Sequence, residues 1–284
     1  MKSMKKLLLA GLVLLASVMV LVGCDTNAGE VSSANVIKVT QENFETGLQE
    51  AMVTSGSILL LESSIVIEDT ILITTGDFTL DLNGKEITVL SAPGVRVDSG
   101  VTLIITDSSG KNQGAIKCSS DEYGSSAVDN TGDLTVRAGI LSSVSGEDSS
   151  GVNNQGNLMV SGGTISGEYG VSNQPLGNVT VSGGTVEGNL YGVINYVSLS
   201  LSGNPDITGS EASFILENFI SIKDGLTGNR VYSVFWYPEV EDNKTTIVDN
   251  VSESTESNFT LIHPSWMVLK LEGSALVLAD KEGN

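Results

Sequence analysis

Four stretches of this chain align on one pattern: DLTVRAGIL from Asp133, NLMVSGGTI from Asn157, NVTVSGGTV from Asn178 and SLSLSGNPDI from Ser198. Their leading aliphatics, Leu134, Leu158, Val179 and Leu199, stand 24, 21 and 20 positions apart. Between them a second element recurs as AVDN, GVNN, GVSN and GVIN, which puts Asn130, Asn154, Asn173 and Asn195 in equivalent places. Within each unit an aliphatic pair flanks one middle residue, as Leu158 and Val160 flank Met159, and this period of two belongs to a strand with one buried face. A Gly-containing corner follows, then one further aliphatic, read as Ile140, Ile165, Val186 and Ile207. A loop of variable length and the Val-x-Asn strand complete the unit. So short a unit cannot bury its apolar face alone, whereas stacked units share one continuous core.

The geometry that satisfies this pattern is a parallel β-helix, each unit forming one coil and equivalent residues stacking about 4.8 Å apart. The composition agrees: 32 glycines, five prolines and few helix-forming runs favour many short strands joined by turns. From Ile37 to Ser210 the chain resembles parallel β-helix proteins of the pectate-lyase-like superfamily, and the resemblance implies a right-handed coil. The four asparagines are expected to bond along the axis as a structural ladder. Upstream, VTQENFETGLQEAMVTSG offers Thr40 as N-cap and apolar Phe44, Leu48, Ala51 and Met52 at helical spacing. This reads as a short N-terminal capping helix, followed by roughly seven coils in a rod of about 30 to 35 Å. The expected class is all-β. Its parts are a signal peptide at 1–23, a flexible tether at 24–36, a parallel β-helix at 37–210 and a C-terminal β segment at 211–284 that caps the rod or forms a small antiparallel module. Within that last segment VEDNKTTIVDNVSESTESN reads as a polar, mobile loop.

The first residues read as an address. Lys2, Lys5 and Lys6 precede an apolar run from Leu7 to Val20, too short for a spanning helix, and LVGC ends it. Gly23 before Cys24 resembles the lipobox of bacterial lipoproteins. The resemblance implies cleavage before Cys24, lipid on its sulfur, and a membrane-anchored chain outside the cytoplasm, displayed at the cell surface. A cleaved secretory signal with a free Cys24 thiol is the alternative. The formal charge of −20 repels phosphate backbones and anionic lipid, so nucleic acid is excluded as a partner and contact with the membrane falls to the lipid. Cys118, in GAIKC, reads as a buried inert thiol.

Chemistry is sparse. The Gly-His-Gly and Arg-x-Lys strings of polygalacturonase-like hydrolases do not occur, and the lone histidine, His263, sits in the terminal segment. The SGG corners lack the Lys and the following helix of a phosphate-binding loop. No catalytic residue is assigned. The candidate ligand contacts are Tyr169 and Tyr191, equivalent positions in adjacent coils, with Glu168, Asp148 and Glu147 beside them. Lined-up tyrosines form a platform for sugar rings, and acids bond hydroxyls; the alternative is that the rings pack over the corner and shield its backbone. Trp236, Tyr237 and Trp266 form a second aromatic candidate, with packing in the core as the alternative. A Ca²⁺ site among Asp121, Glu122, Glu147, Asp148 and Glu168 is the one cofactor suggested, with solvated loop acids as its alternative. Such SGGTI-type repeats resemble those of adhesin-like bacterial surface proteins and β-helix lipoproteins. The resemblance implies a non-enzymatic lipoprotein presenting a face to a polysaccharide, glycoprotein or neighbouring cell. The alternatives are a polysaccharide lyase or glycoside hydrolase and a structural or antigenic spacer without a ligand.

Overall fold

The computed structural model describes residues 35–143, 146–237 and 245–280. The expected signal peptide, Cys24 and nearly all of the tether lie outside the described residues. From Val36 onward the chain winds through a parallel β-solenoid of about nine turns. At the strand spacing this is a rod of about 40 Å.

Two sheets run along the rod. One takes a single strand from each coil, from Val36–Val39 at the start to Thr246–Asp249 near the end. The other takes two short stretches per coil, which fuse in Thr164–Asn173 and Thr185–Asn195 into single strands with a register shift between Gly167 and Tyr169. Within the columns of the middle coils registration is one to one, so like residues stack: Leu103, Leu134, Leu158, Val179 and Leu199 form one inward column, and Val128, Val152, Val171, Val193 and Phe214 another. All are essentially inaccessible, and period-two alternation sends their neighbours outward. One repeat registers differently from the sequence reading. The aliphatic after the first corner is Leu141, paired with Ile165 and fully buried, whereas Ile140 pairs with Thr164 and is half-buried.

The paired glycines of the SGG corners serve two different needs. A Cβ on Gly162 would lie 2.1 Å from the Arg137 carbonyl oxygen of the coil before, so only glycine permits the approach. Gly163 has φ +75°, the left-handed region that costs an L side chain about 1–2 kcal/mol. Elsewhere corners are held by carboxylates. Asp107 accepts the N–H groups of Gly84 (2.7 Å), Ser109 (3.1 Å) and Gly114 (2.8 Å), and Asp81 accepts those of Asn83 (3.0 Å) and Ser108 (2.9 Å).

The first coil carries the helix Phe44–Val53, which lays Phe44, Leu48, Ala51 and Met52 against the strands Val36–Val39 and Ser57–Leu61. Its N-cap is Asn43 rather than Thr40, and the side chain points away from the helix. Asn43 Oδ1 accepts the N–H (2.7 Å) and hydroxyl (3.1 Å) of Thr40, which tightens the entry turn and leaves the first helical N–H groups without a side-chain cap. Next to it Gln41 meets the open edge of the second sheet. Its amide donates to the Val66 carbonyl (3.0 Å) and accepts the Val66 N–H (2.7 Å), as a paired strand would.

Ser210 does not end the parallel stacking. Ala212–Leu216, Tyr232–Trp236 and Phe259–His263 continue the second sheet in parallel. Ile220–Leu226 and Thr246–Asp249 continue the first. The supposed polar loop therefore contains a strand, and its Ile247 and Val248 are fully buried. Among the described residues antiparallel pairing appears only at the end, where Ala275–Asp280 pairs with Thr246–Asp249 and with Met267–Glu272.

Candidate functional site

The four equivalent asparagines occupy one inward column and are completely or almost completely buried. Asn130 donates to Asn154 Oδ1 (2.8 Å), Asn154 to Asn173 (2.9 Å) and Asn173 to Asn195 (2.8 Å). Each of these donors also reaches a backbone carbonyl, as Asn173 reaches that of Ser198 at 3.0 Å. Gly132 N–H closes the ladder below through Asn130 Oδ1, and the Asn218 carbonyl receives Asn195 above at 3.5 Å. Beyond its ends the column turns apolar, with Val97 below Asn130, and Leu216 and Trp236 above Asn195. The ladder is internal and offers nothing to a ligand.

The residue after each member of this column from Asn130 to Trp236 faces outward, by alternation, in the row Thr131, Gln155, Gln174, Tyr196, Glu217 and Tyr237, the last two following Leu216 and Trp236. Backbone bonds such as Gln174 N–H to the Asn154 carbonyl and Tyr237 N–H to the Leu216 carbonyl set the order. The residue before each asparagine supplies a second outward row, Asp129, Asn153, Ser172 and Ile194. A cleft of about 300 Å³ lies on this face. Asn153, Ser172 and Ile194 form its floor, Asp148 and Tyr169 one wall, and Gln174 and Tyr196 the other. It meets a second cleft of about 290 Å³, lined by Arg96 and Asp129, at the shared residue Asn153.

The acidic wall is tightly bonded. Asp148, at φ +58°, accepts the Tyr169 hydroxyl on Oδ1 (2.6 Å) and the Tyr123 hydroxyl on Oδ2, while its own N–H donates to Glu168 Oε2 (2.5 Å). Burial, reinforced by the bond to Asp148, pushes the Tyr169 phenol well above its ordinary range. Tyr196 is also raised, first by burial and then by the charges of Glu217 and Asp148. Its hydroxyl has no partner among the described residues.

The structure therefore brings Asp148 and Tyr169 to the cleft together. Tyr191 stacks behind Tyr169, with ring centroids 6.1 Å apart and planes at 29°, without lining the cleft. Glu168 is occupied by the Asp148 amide. Trp236 is a correction: it belongs to the asparagine column and sits in the core at 6% exposure, because at the top of the rod that column holds large apolar side chains. Of its proposed companions, Tyr237 and Trp266 are exposed. Trp266 meets His263 edge-on, and His263 stacks on Phe235 at 4.3 Å. Among the described residues no group of three or more His, Cys, Asp or Glu side chains converges as a metal ion requires, the acids from Asp121 to Glu168 included. Cys118 is buried, and burial pushes its thiol up.

Sequence reasoning missed Gln174, Tyr196, Asn153 and Ser172. The signal was present, since each is a sequence neighbour of a ladder asparagine and must therefore face outward. Compared with models of protein families, with curated proteins and with solved structures, the chain matches none.

Proposed function

We propose that the chain is a surface-anchored lipoprotein whose rod binds a carbohydrate polymer in the cleft between Tyr169 and Tyr196, without chemical turnover. The observation that carries this reading is the lining itself: two half-buried tyrosines, Tyr169 and Tyr196, share one cleft with Asn153, Ser172, Gln174 and Asp148. Aromatic walls suit the apolar faces of sugar rings, and amide, hydroxyl and carboxylate groups suit their hydroxyls. Anchoring rests on Lys2, Lys5, Lys6, the apolar run to Val20 and the Gly23–Cys24 pair, with lipid on Cys24 as the link to the membrane.

A glycan array and a polysaccharide pull-down, repeated with Tyr169→Ala and Tyr196→Ala together, test the reading. Binding lost in the double variant supports it. Absence of binding by the unaltered chain leaves a spacer without a ligand. A second reading, turnover of the bound polymer, draws on Arg96 and Asp129, which stand on adjacent rungs in the neighbouring cleft. Release of oligosaccharides by the chain, abolished in Asp129→Asn, would establish it.

A further inference from the structure

The electrostatics of the cleft select among sugars, and this selection rests on the carbohydrate reading of the same site. None of the residues that line the cleft is basic. Asp148 forms part of one wall, and Glu217 stands one rung beyond Tyr196, placed there by its N–H bond to the Asn195 carbonyl at 2.9 Å. The Tyr196 phenol is held up by burial and then by these two carboxylates, so negative potential reaches the same ring from both. Arg96 lines the adjoining cleft and not this one, and there Asp129 sits on the next rung.

The aromatic walls add to this bias, because the face of a phenol ring attracts a cation. Asp148 already accepts one phenolic hydroxyl on each oxygen, and each carboxylate oxygen keeps a lone pair for a further donor. Seating an anionic sugar here would set like charges together in a partly desolvated cleft with no counter-charge. A neutral sugar gains only hydrogen bonds and ring contact. An ammonium group gains both of these, together with Coulomb attraction and the ring faces.

We propose that the glycan carries a protonated amine on the unit seated between Tyr169 and Tyr196, so that the ligand class is a polymer of free, non-acetylated amino sugars.

The test is calorimetric titration of the full chain with glucosamine oligomers and with N-acetylglucosamine oligomers of equal length. The deacetylated series should bind about tenfold more tightly, the factor that a single cation–ring and carboxylate contact supplies. Asp148→Asn with Glu217→Gln should bring the two series together; Asn tolerates the left-handed backbone at 148, and its amide oxygen accepts one phenolic hydroxyl while its NH₂ donates to the other phenol oxygen, so the wall is kept without the charge. Tyr169→Ala with Tyr196→Ala, which leaves the charge unaltered, should abolish binding of both series. If this tyrosine variant still takes up the amine oligomer as the unaltered chain does, the attraction is a general one between polycation and acidic protein, and the inference fails. Equal binding of the two series, or preference for the acetylated one, overturns the amine and leaves the carbohydrate reading standing. Binding of neither, with no other glycan bound, overturns both.

Discussion

Asn173 shows what one buried amide does in a stack of coils. It accepts from Asn154 and donates to Asn195 and to the Ser198 carbonyl, with no access to water. Its truncation strands partners on two rungs, and a buried polar group left unpaired costs about 1–3 kcal/mol. Asn173→Ala should therefore lower stability by about 2 kcal/mol or more in urea titration. Asn195→Leu should cost less, because the next residue in its column is already Leu216 and Asn173 keeps its bond to Ser198. Equal losses would contradict the ladder as a chain of dependent bonds. Asp107 makes a second residue-scale prediction. Burial opposes its charge, but bonds from Gly114, Ser109 and Gly84 outweigh burial and hold its carboxyl below the ordinary value. A group whose folded pKa is depressed stabilises fully above its unfolded pKa of about 3.9, and that stability is lost as pH falls through the folded value. Asp107→Asn should be less stable than the unaltered chain at neutral pH, and the gap should narrow in acid below about pH 4. Denaturant midpoints measured across that range check the sign.

At the scale of elements, the ends of the sheets pose the larger problem. An unpaired strand edge is a template for another chain, and Gln41 covers that of Ile65–Ile67 with one side-chain amide. Gln41→Ala should cost about 1 kcal/mol, and, more tellingly, should promote concentration-dependent association seen by light scattering. Unchanged association would mean that the adjacent helix suffices. The middle coils were legible in the sequence because the same residue types return at the same positions. The later coils were not, although their geometry is the same. Where the repeat has Asn195, the next two coils have Leu216 and Trp236, and the SGG corner disappears. A column filled by different apolar residues packs as well as a uniform one, but it leaves no pattern to count. The helix start was displaced for a local reason, since Thr40 and Asn43 both cap well and only the folded turn decides which amide is bonded.

For the whole molecule, charge is the term that all coils share. The chain carries −20 formally, and its described residues form ion pairs between Lys38 and Glu62, Lys117 and Glu86, and Arg230 and Asp206. Self-repulsion of this kind opposes the compact state and is screened within about 8 Å at physiological salt. Raising sodium chloride from 10 mM to 500 mM should therefore move the thermal midpoint upward, and a fall would point to dominance of the few pairs. The candidate site was only half legible for a reason of the same scale. Asp148, Tyr169 and Tyr196 come from three successive coils, 21 and 27 residues apart in sequence, and Gln174 follows the ladder asparagine of the middle coil, so the cleft exists only once coils are stacked in register. That one-to-one register has an evolutionary consequence. A tandem duplication of one unit in the gene would insert a coil, shift everything beyond it by about 4.8 Å, and disturb no contact outside the two rungs it parts. Duplication before Gly124 or after Tyr196 would lengthen the rod and pass the cleft on intact, while duplication within it would copy one wall. A lineage of such chains can thus vary its reach and its number of sites separately, by recombination alone.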